Sequence, residues 1–372
     1  LADVFAAKAA QYRDLVKPGR THLQDAVPIT FGQELGGWAA RMRSAAARIR
    51  GTRGELSELG IGGTAAGTGL NADPKFRERV CASLAQWTGD PIVAAKDLFA
   101  AMQSTAVFLR TSSGMRTAAV ELASIANDIR LLASGPRTGF GELVLPAVQP
   151  GSSIMPGKVN PAIAEMVDQV CFQVIGNDTA VMLGAQAGQL ELNVMMPGIN
   201  YAICLSATIL ANATRQLRTK CVEGMRVDPD RAQELLDASP SLLATALSPH
   251  IGYAKAAALM KRALAERRPL LDVAAQLGHS AADAEKAFRK GCEMQASFES
   301  AAKEEGRKAL DLIEKENRIG IVLVGRPYNA FAKVANMGVP MKFASRGITI
   351  MPFEFLPFEE EPARSSMYWK FG

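Results

Sequence analysis

Four segments of this chain repeat apolar residues at steps of three and four over lengths that suit long helices. Leu35, Trp38, Met42, Ala45 and Ile49 step in this way, as do Leu122, Ile125, Ala126, Ile129 and Leu132. Ile163, Met166, Val167, Val170 and Val174 give a third stripe, and a fourth segment runs from Pro197 through Ile203 to Leu217. A period of 3.6 residues places such positions on one face of an α-helix. Stripes this apolar cannot face water, so each helix must be covered by other helices, from this chain or from further copies of it. Breaker residues set the expected boundaries. A short helix over residues 1–17 closes at Lys17-Pro18-Gly19, and Pro28 opens the first long helix. The second runs from Thr111 to Ala133, where Ser134-Gly135-Pro136 stops it, and the third begins near Pro161. Alanine runs such as Ala45-Ala46-Ala47 reinforce the helical reading.

Composition narrows the function classes. A chain of 372 residues holds two or three structural units and material for a buried core. The net charge of +5 is spread over many helices without a dense basic tract. It reads as a solvated surface that helps anionic substrates approach, and no nucleic-acid partner is expected. Cys81, Cys171, Cys204, Cys221 and Cys292 are far apart and form no CxxC pair. An odd count without a secretory signal points to reduced thiols and a cytoplasmic location. His22, His250 and His279 offer no ligand pair, so neither a metal nor another cofactor is expected. No apolar stretch reaches membrane-spanning length, so no membrane partner is expected. The chain starts at Leu1, within a helical pattern, and reads as a fragment whose N-terminal part is missing.

Asp228-Pro229 caps a smaller helical region reaching about Gly278. Beyond it the pattern changes. A charged helix over Ala284–Glu316 leads to Ile319-Gly320-Ile321-Val322-Leu323-Val324-Gly325, an apolar, β-branched run of strand length. A short helical stretch and a second such run, Ile348–Phe353, follow. This β–α–β alternation predicts a separate C-terminal α/β unit.

The segment richest in chemistry is Gly151–Pro161, GSSIMPGKVNP. Two serines sit between glycines, followed by Lys158 and Asn160, just ahead of a long helix. The glycines permit positive φ and hinge motion. Lysine and the unpaired N–H groups of a helix N-terminus supply positive charge, which suits a mobile, anion-binding catalytic loop. The plain alternative for any such string is an ordinary Gly/Ser/Pro connection.

GSSIMPGKVNP resembles the signature loop of the aspartase/class II fumarase superfamily. Gly19–Glu34, GRTHLQDAVPITFGQE, resembles its Thr-His motif, and Gly62–Asn71, GGTAAGTGLN, its third recurring segment. Gly176–Met195 and Ser248–Ala257 continue the likeness over roughly residues 1–278. The resemblance implies a mainly α fold, a long-helix bundle of the aspartase/fumarase type, with the small α/β unit appended. On this reading residues 1–222 form the central bundle with its catalytic loops, 223–279 a small helical domain and 280–372 the α/β unit. It further implies a homotetramer with active sites shared between subunits, acting on a small dicarboxylate.

Matched by position, the resemblance makes Ser152 the base that removes a proton next to a carboxylate. A serine hydroxyl can do this only if positive charge and N–H donors stabilise its alkoxide. Thr21, Lys158 and Asn160 match residues that hold one substrate carboxylate, and Ser153 matches a contact to the other. His22 matches the histidine near the leaving group, and Glu165 the carboxylate paired with it. Glu165 is equally explained as a favourable charge at a helix N-terminus. Two earlier motifs of the family are not found here and would precede Leu1, so the site of this chain is expected to be incomplete.

The leaving group separates the two leading readings. Fumarases resemble this chain at GRTHLQDA, GIGGTA and SPHIGYAKAA. Aspartases resemble it better at Asp97–Thr105, Asp168–Gly176 and Ala187–Met195, with Met196-Pro197 and Gln103-Ser104-Thr105 where fumarases tend to show Lys-Pro and His-Asp. The expectation is therefore aspartate ammonia-lyase, with fumarate hydratase as the alternative. From about Ala282, IGIVLVGRPYNAF, RGITIMPFEFLP and MYWKFG resemble a segment of the activators of 2-hydroxyacyl-CoA dehydratases. That family's ATP-binding and cluster motifs are not visible, and Cys292 by itself cannot hold a cluster. An inactive chimeric or scaffold protein joined near residue 280 is the remaining reading.

Overall fold

The computed structural model describes residues 1–149, 151, 154–155, 157–239, 244, 252–266, 268, 270, 273, 281–323 and 338–357. They fall into two compact units. The first comprises residues 1–18 and 28–235, and the second residues 19–27 and 236–372.

The first unit is helical. Helix α1 (Ala2–Gln11) precedes two paired strands, β1 (Val16–Thr21) and β2 (Gln24–Thr30), which lead into α2 (Phe31–Gly51). The helix expected over residues 1–17 thus ends at Gln11, and Pro28 lies in a strand instead of opening α2. What starts α2 is a capping box. The Thr30 hydroxyl accepts from the Gln33 N–H at 3.1 Å, and the Gln33 side chain accepts from the Thr30 N–H at 2.9 Å. The excursion through the hairpin closes at its base: the Phe31 N–H donates to the Leu15 carbonyl (2.9 Å) and the Gly32 N–H to that of Tyr12 (3.0 Å). A Cβ on Gly32 would lie 2.7 Å from the Arg13 Cα, so only glycine lets the two backbones meet here.

A loop region follows, with β3 (Glu58–Leu59), α3 (Phe76–Thr88), β4 (Val93–Ala94) and α4 (Leu98–Gln103); β3 and β4 pair in parallel. Helix α5 (Ala106–Leu132) starts five residues ahead of the expected Thr111, after Thr105. Strand β5 (Leu143–Val144), α6 (Ala162–Gln186), α7 (Met196–Leu217) and β6 (Arg226–Val227) complete the set, β5 pairing antiparallel with β6. Helix α7 passes through one π-type turn, Arg218–Val222, before β6, and α8 (Pro229–Ala238) follows.

The stripes read from the sequence form the core. α5 packs against α2, α6 and α7, and α6 against α7. Leu35, Trp38, Met42, Leu122, Ile125, Ile129, Val167, Val174 and Leu217 are all buried in one cluster. Phe5 of α1 meets Trp38 edge to face, ring centroids 5.6 Å apart. The stripe on α6 is displaced from expectation: Ala164, Val167, Cys171 and Val174 are buried, whereas Ile163, Met166 and Val170 are only partly covered. α6 is apolar on more than one side because it packs against both α5 and α7, so hydrophobicity does not single out one stripe.

Within the second unit, α9 (Tyr253–Glu266) is followed by α10 (Ala281–Lys315), β7 (Gly320–Leu323), α11 (Val339–Ala344) and β8 (Thr349–Pro352). β7 and β8 pair in parallel, from Gly320 opposite Thr349 to Leu323 opposite Pro352. Parallel pairing needs a crossover connection, as the β–α–β pattern predicts. Ala302 of α10 and Met351 of β8 are buried. Among the described residues no helix is long and apolar enough to cross a membrane.

Ile125 is fully buried at the middle of α5. Ile125→Ala should cost about 2–5 kcal/mol of stability through lost transfer energy and the cavity left behind. Denaturant unfolding followed by helical circular dichroism checks this, and a change below about 1 kcal/mol would contradict the packing described.

Candidate active site

The residues singled out by sequence lie on three kinds of support. Thr21 ends β1, and His22 and Leu23 form the two-residue turn into β2, with φ of 56° and 59°. Positive φ at both central positions is what a type I′ hairpin turn requires, usually met by Asn or Gly. Here His and Leu take it, and Thr21, His22 and Leu23 are all exposed. A non-glycine pair held in this region is locally strained, a trait that concentrates at functional sites. These residues belong to the second unit, whereas the others with described positions belong to the first.

The second support is the N-terminus of α6. Ser152, Ser153, His250, His279 and the GRPYN segment lie outside the described residues. Of the loop, Gly151 is described with φ 27°, and a Cβ there would fall 1.8 Å from the Lys158 carbonyl oxygen. The two ends of the loop therefore meet, at a contact only glycine permits. Lys158 is exposed, Asn160 half-buried, and α6 begins two residues later without a side-chain cap. A helix N-terminus favours an anion, and Lys158 lies four residues ahead of this one along the chain. Glu165 lies in the first turn of α6, half exposed, with the Arg130 guanidinium 4.0 Å away. Lys158, Asn160 and Glu165 are thus gathered at one helix end.

The third support is the loop at 60–72, where Thr64 (φ 57°) and Asn71 (φ 65°) join several glycines at positive φ. The Gly67 and Gly69 N–H groups both donate to the Gly63 carbonyl, at 2.9 and 3.1 Å. Close by in sequence, the end of α4 meets the stretch before α7. The Asn193 N–H donates to the Met102 carbonyl at 3.0 Å, and the buried Asn193 amide donates to the Thr105 hydroxyl at 3.3 Å. Two of the three stretches that favour the aspartase resemblance, Asp97–Thr105 and Ala187–Met195, are therefore in contact.

Sequence reasoning missed the most deeply buried charges. Lys17, only 1% exposed, donates to both carboxylate oxygens of Glu34 at 2.9 Å and lies 3.4 Å from Glu142, which is fully buried. Its ammonium also sits 4.9 Å from the centre of the Phe31 ring. Burial pushes the Glu34 carboxyl above its ordinary value of 4.5, Lys17 opposes the shift, and Glu142 and Asp128 add to it. Burial likewise raises Asp128, against the pull of Arg41 and Lys17. The available signal was a lysine and a glutamate flanking the Thr-His motif, but exposed pairs of this kind are common and nothing local marks these two as buried. On α6, Asp168 is raised by burial although Arg130 donates to it at 2.8 Å, and its Oδ1 has no hydrogen-bond partner among the described residues. Burial also drives the Cys171 thiol up to about 12, which makes it unreactive. Among the described residues no three His, Cys, Asp or Glu side chains gather where they could hold a metal ion.

Comparison with known proteins agrees with the likeness that the motifs carry. The sequence model described as "Lyase" matches residues 1–176, and that described as "CoA enzyme activase uncharacterised domain" matches residues 234–356. Fumarate hydratase class II of Chromobacterium violaceum is 47% identical over 76% of this chain and 61% of its own length. Aspartate ammonia-lyase of Helicobacter pylori is 46% identical over 74% of this chain and 58% of its own. The crystal structure of fumarate lyase:delta crystallin from Brucella melitensis bound to cobalt superposes with a TM-score of 0.74 at 44% identity, covering 78% of this chain and 63% of that one. The helical part of the chain belongs to the aspartase/class II fumarase superfamily of lyases. The match spans about three-fifths of the length of these curated relatives.

The raised Glu34 carboxyl has a signed consequence for stability. The folded protein holds this proton more tightly than the unfolded chain, so the Glu34 contribution is fully present below 4.5 and is lost as pH rises through the folded value. The melting temperature of the unaltered protein relative to Glu34→Gln should therefore be most favourable at acid pH and decline towards neutrality. A difference that grows with pH would refute the shift.

Proposed function

We propose that this protein releases ammonia from L-aspartate to form fumarate. The observation that carries the reading is the contact of Asn193 with Met102 and Thr105, which joins two of the three aspartase-like stretches. Ser152 removes the proton next to the substrate carboxylate. The resulting dianion needs electrostatic stabilisation above all, and Lys158, Asn160 and Thr21 supply it, with the N-terminus of α6 adding partial positive charge. Ser153 contacts the other carboxylate. An ammonium leaves already protonated and requires only acceptors that orient it.

Hydration of fumarate is the second reading. It is favoured by His22 with Glu165, because hydroxide is a poor leaving group and a relay of this kind donates the proton it needs. The close identity to a fumarate hydratase supports it as well. The two readings share their carbanion chemistry and separate at the leaving group. Fumarate formation from L-aspartate and from L-malate, at matched concentrations of the full-length protein, decides between them. Faster turnover of malate overturns the first reading, and turnover of neither favours the scaffold reading. Ser152→Ala should lower kcat by at least ~10²–10⁴-fold with little change in substrate binding.

We also infer assembly into a homotetramer with shared sites, for which the exposed apolar side chains are the support. On α6 and α7, Phe172 is 63% and Tyr201 70% exposed, and Met182, Leu183 and Met196 join them. Faces of this kind call for cover by further helices, and an obligate interface of this type buries well over ~2,000 Å². Light scattering should report a tetramer at micromolar concentration. A monomer with an intact helical spectrum would count against assembly.

A further inference from the structure

Lys17 is placed where two separate functional segments take root. It stands on β1, four residues ahead of Thr21 along the same strand. Its two short bonds go to Glu34 in the first turn of α2, the helix into which the other strand of the hairpin runs. Its second carboxylate partner, Glu142, immediately precedes β5 in the connector between α5 and α6, and that connector runs on in sequence to Gly151 and Ser152. The backbone around Glu142 is held as well: its carbonyl accepts from the Asp228 N–H at 2.9 Å, and Arg231 donates to the Phe140 and Gly139 carbonyls at 2.9 Å. A buried ammonium shared by carboxylates from two chain segments fixes both, because neither carboxylate can move away without leaving a charge unpaired in a dry site.

We propose that Lys17 is a positioning residue for the lyase reaction, one buried ammonium that sets the backbone path of the Thr21–His22 hairpin and of the connector leading to Ser152 together. The proposal rests on the lyase reading for its catalytic consequence. Lys17 touches no substrate. It acts through the path of β1 up to Thr21 and of the connector that leads towards Ser152, and displacement of about 1 Å at reacting groups lowers rates on the order of 10²-fold.

Lys17→Met keeps the length of the side chain and removes the charge. That variant leaves two carboxyls without their partner and is expected to melt early, so the informative protein is Lys17→Met with Glu34→Gln. The double variant should recover most of the lost melting temperature, yet its kcat should remain roughly 10- to 100-fold down, with a smaller change in KM. Amide hydrogen exchange should quicken in residues 16–18 and 28–30 and, at the same time, in residues 139–149, while the buried middle of α5 keeps its protection. Turnover that returns with stability overturns the proposal, because the cluster would then be structural only. Exchange that quickens in the hairpin strands and not in the connector also overturns it. If the unaltered protein turns over neither aspartate nor malate, the lyase reading fails on its own, and the exchange measurement then decides whether Lys17 anchors both segments.

Discussion

Everything in the helical unit hangs from the burial of α5. Its face of Leu122, Ile125, Ala126 and Ile129 is in contact with α2, α6 and α7, and all four residues are buried. Each large side chain removed from water there contributes roughly 1.5–3 kcal/mol. The alanines at 118, 119 and 126 matter for another reason. Small residues allow neighbouring helices to approach closely, so the larger side chains interdigitate without voids. Fixing α5 fixes the ends of α6 and α7 as well, and the α6 N-terminus is where Lys158, Asn160 and Glu165 are displayed. The candidate site residues sit on loops and at a helix end, but the position of that helix end is set by helix packing.

A second constraint is electrostatic. Lys17 and Glu142 are among the most thoroughly buried ionisable groups described, with Glu34 partly covered beside them, and taking charges out of water costs several kcal/mol per ion unless partners compensate. Replacing such a cluster with apolar groups is often neutral or stabilising, so stability by itself does not explain it. A well-defined geometry does. The bonds from Lys17 to Glu34 and the approach to Glu142 tie a strand, a helix start and a connector to one point. An apolar contact, being non-directional, would let all three slide. The burial that raises Glu34, with Glu142 and Asp128 adding to it, is the energetic cost of that definition.

The bundle itself was legible because helical periodicity is a local property. Steps of three and four at Leu35, Trp38 and Met42, or at Leu122, Ile125 and Ile129, state which face is inward whatever covers it. The hairpin over 16–30 was not legible. Pro18, Gly19 and Pro28 read as breakers, and a His-Leu turn lacks the Asn-Gly chemistry that advertises a two-residue connection. The stripe on α6 was misplaced for the opposite reason. A helix covered on two sides is apolar on two sides, and periodicity then cannot rank them. The parallel pairing of β7 with β8 was readable, since two apolar, β-branched runs separated by a helical stretch have few other arrangements.

By itself the sequence determined which segments hold the long helices, which faces of α2 and α5 turn inward, and which motifs carry the Ser, Lys, Asn, Thr and His of the candidate site. Residue order within a few positions suffices for all of these. Tertiary structure decided that the chain between α1 and α2 is a strained hairpin, that Gly151 closes onto the Lys158 carbonyl, and that Asn193 reaches Met102 and Thr105. It also decided that Lys17 and Glu142, 125 positions apart, share one dry site. The reason is physical. A lysine at an exposed strand and a lysine beneath three packed segments have the same local sequence, and only the packing determines whether water or a carboxylate answers its charge.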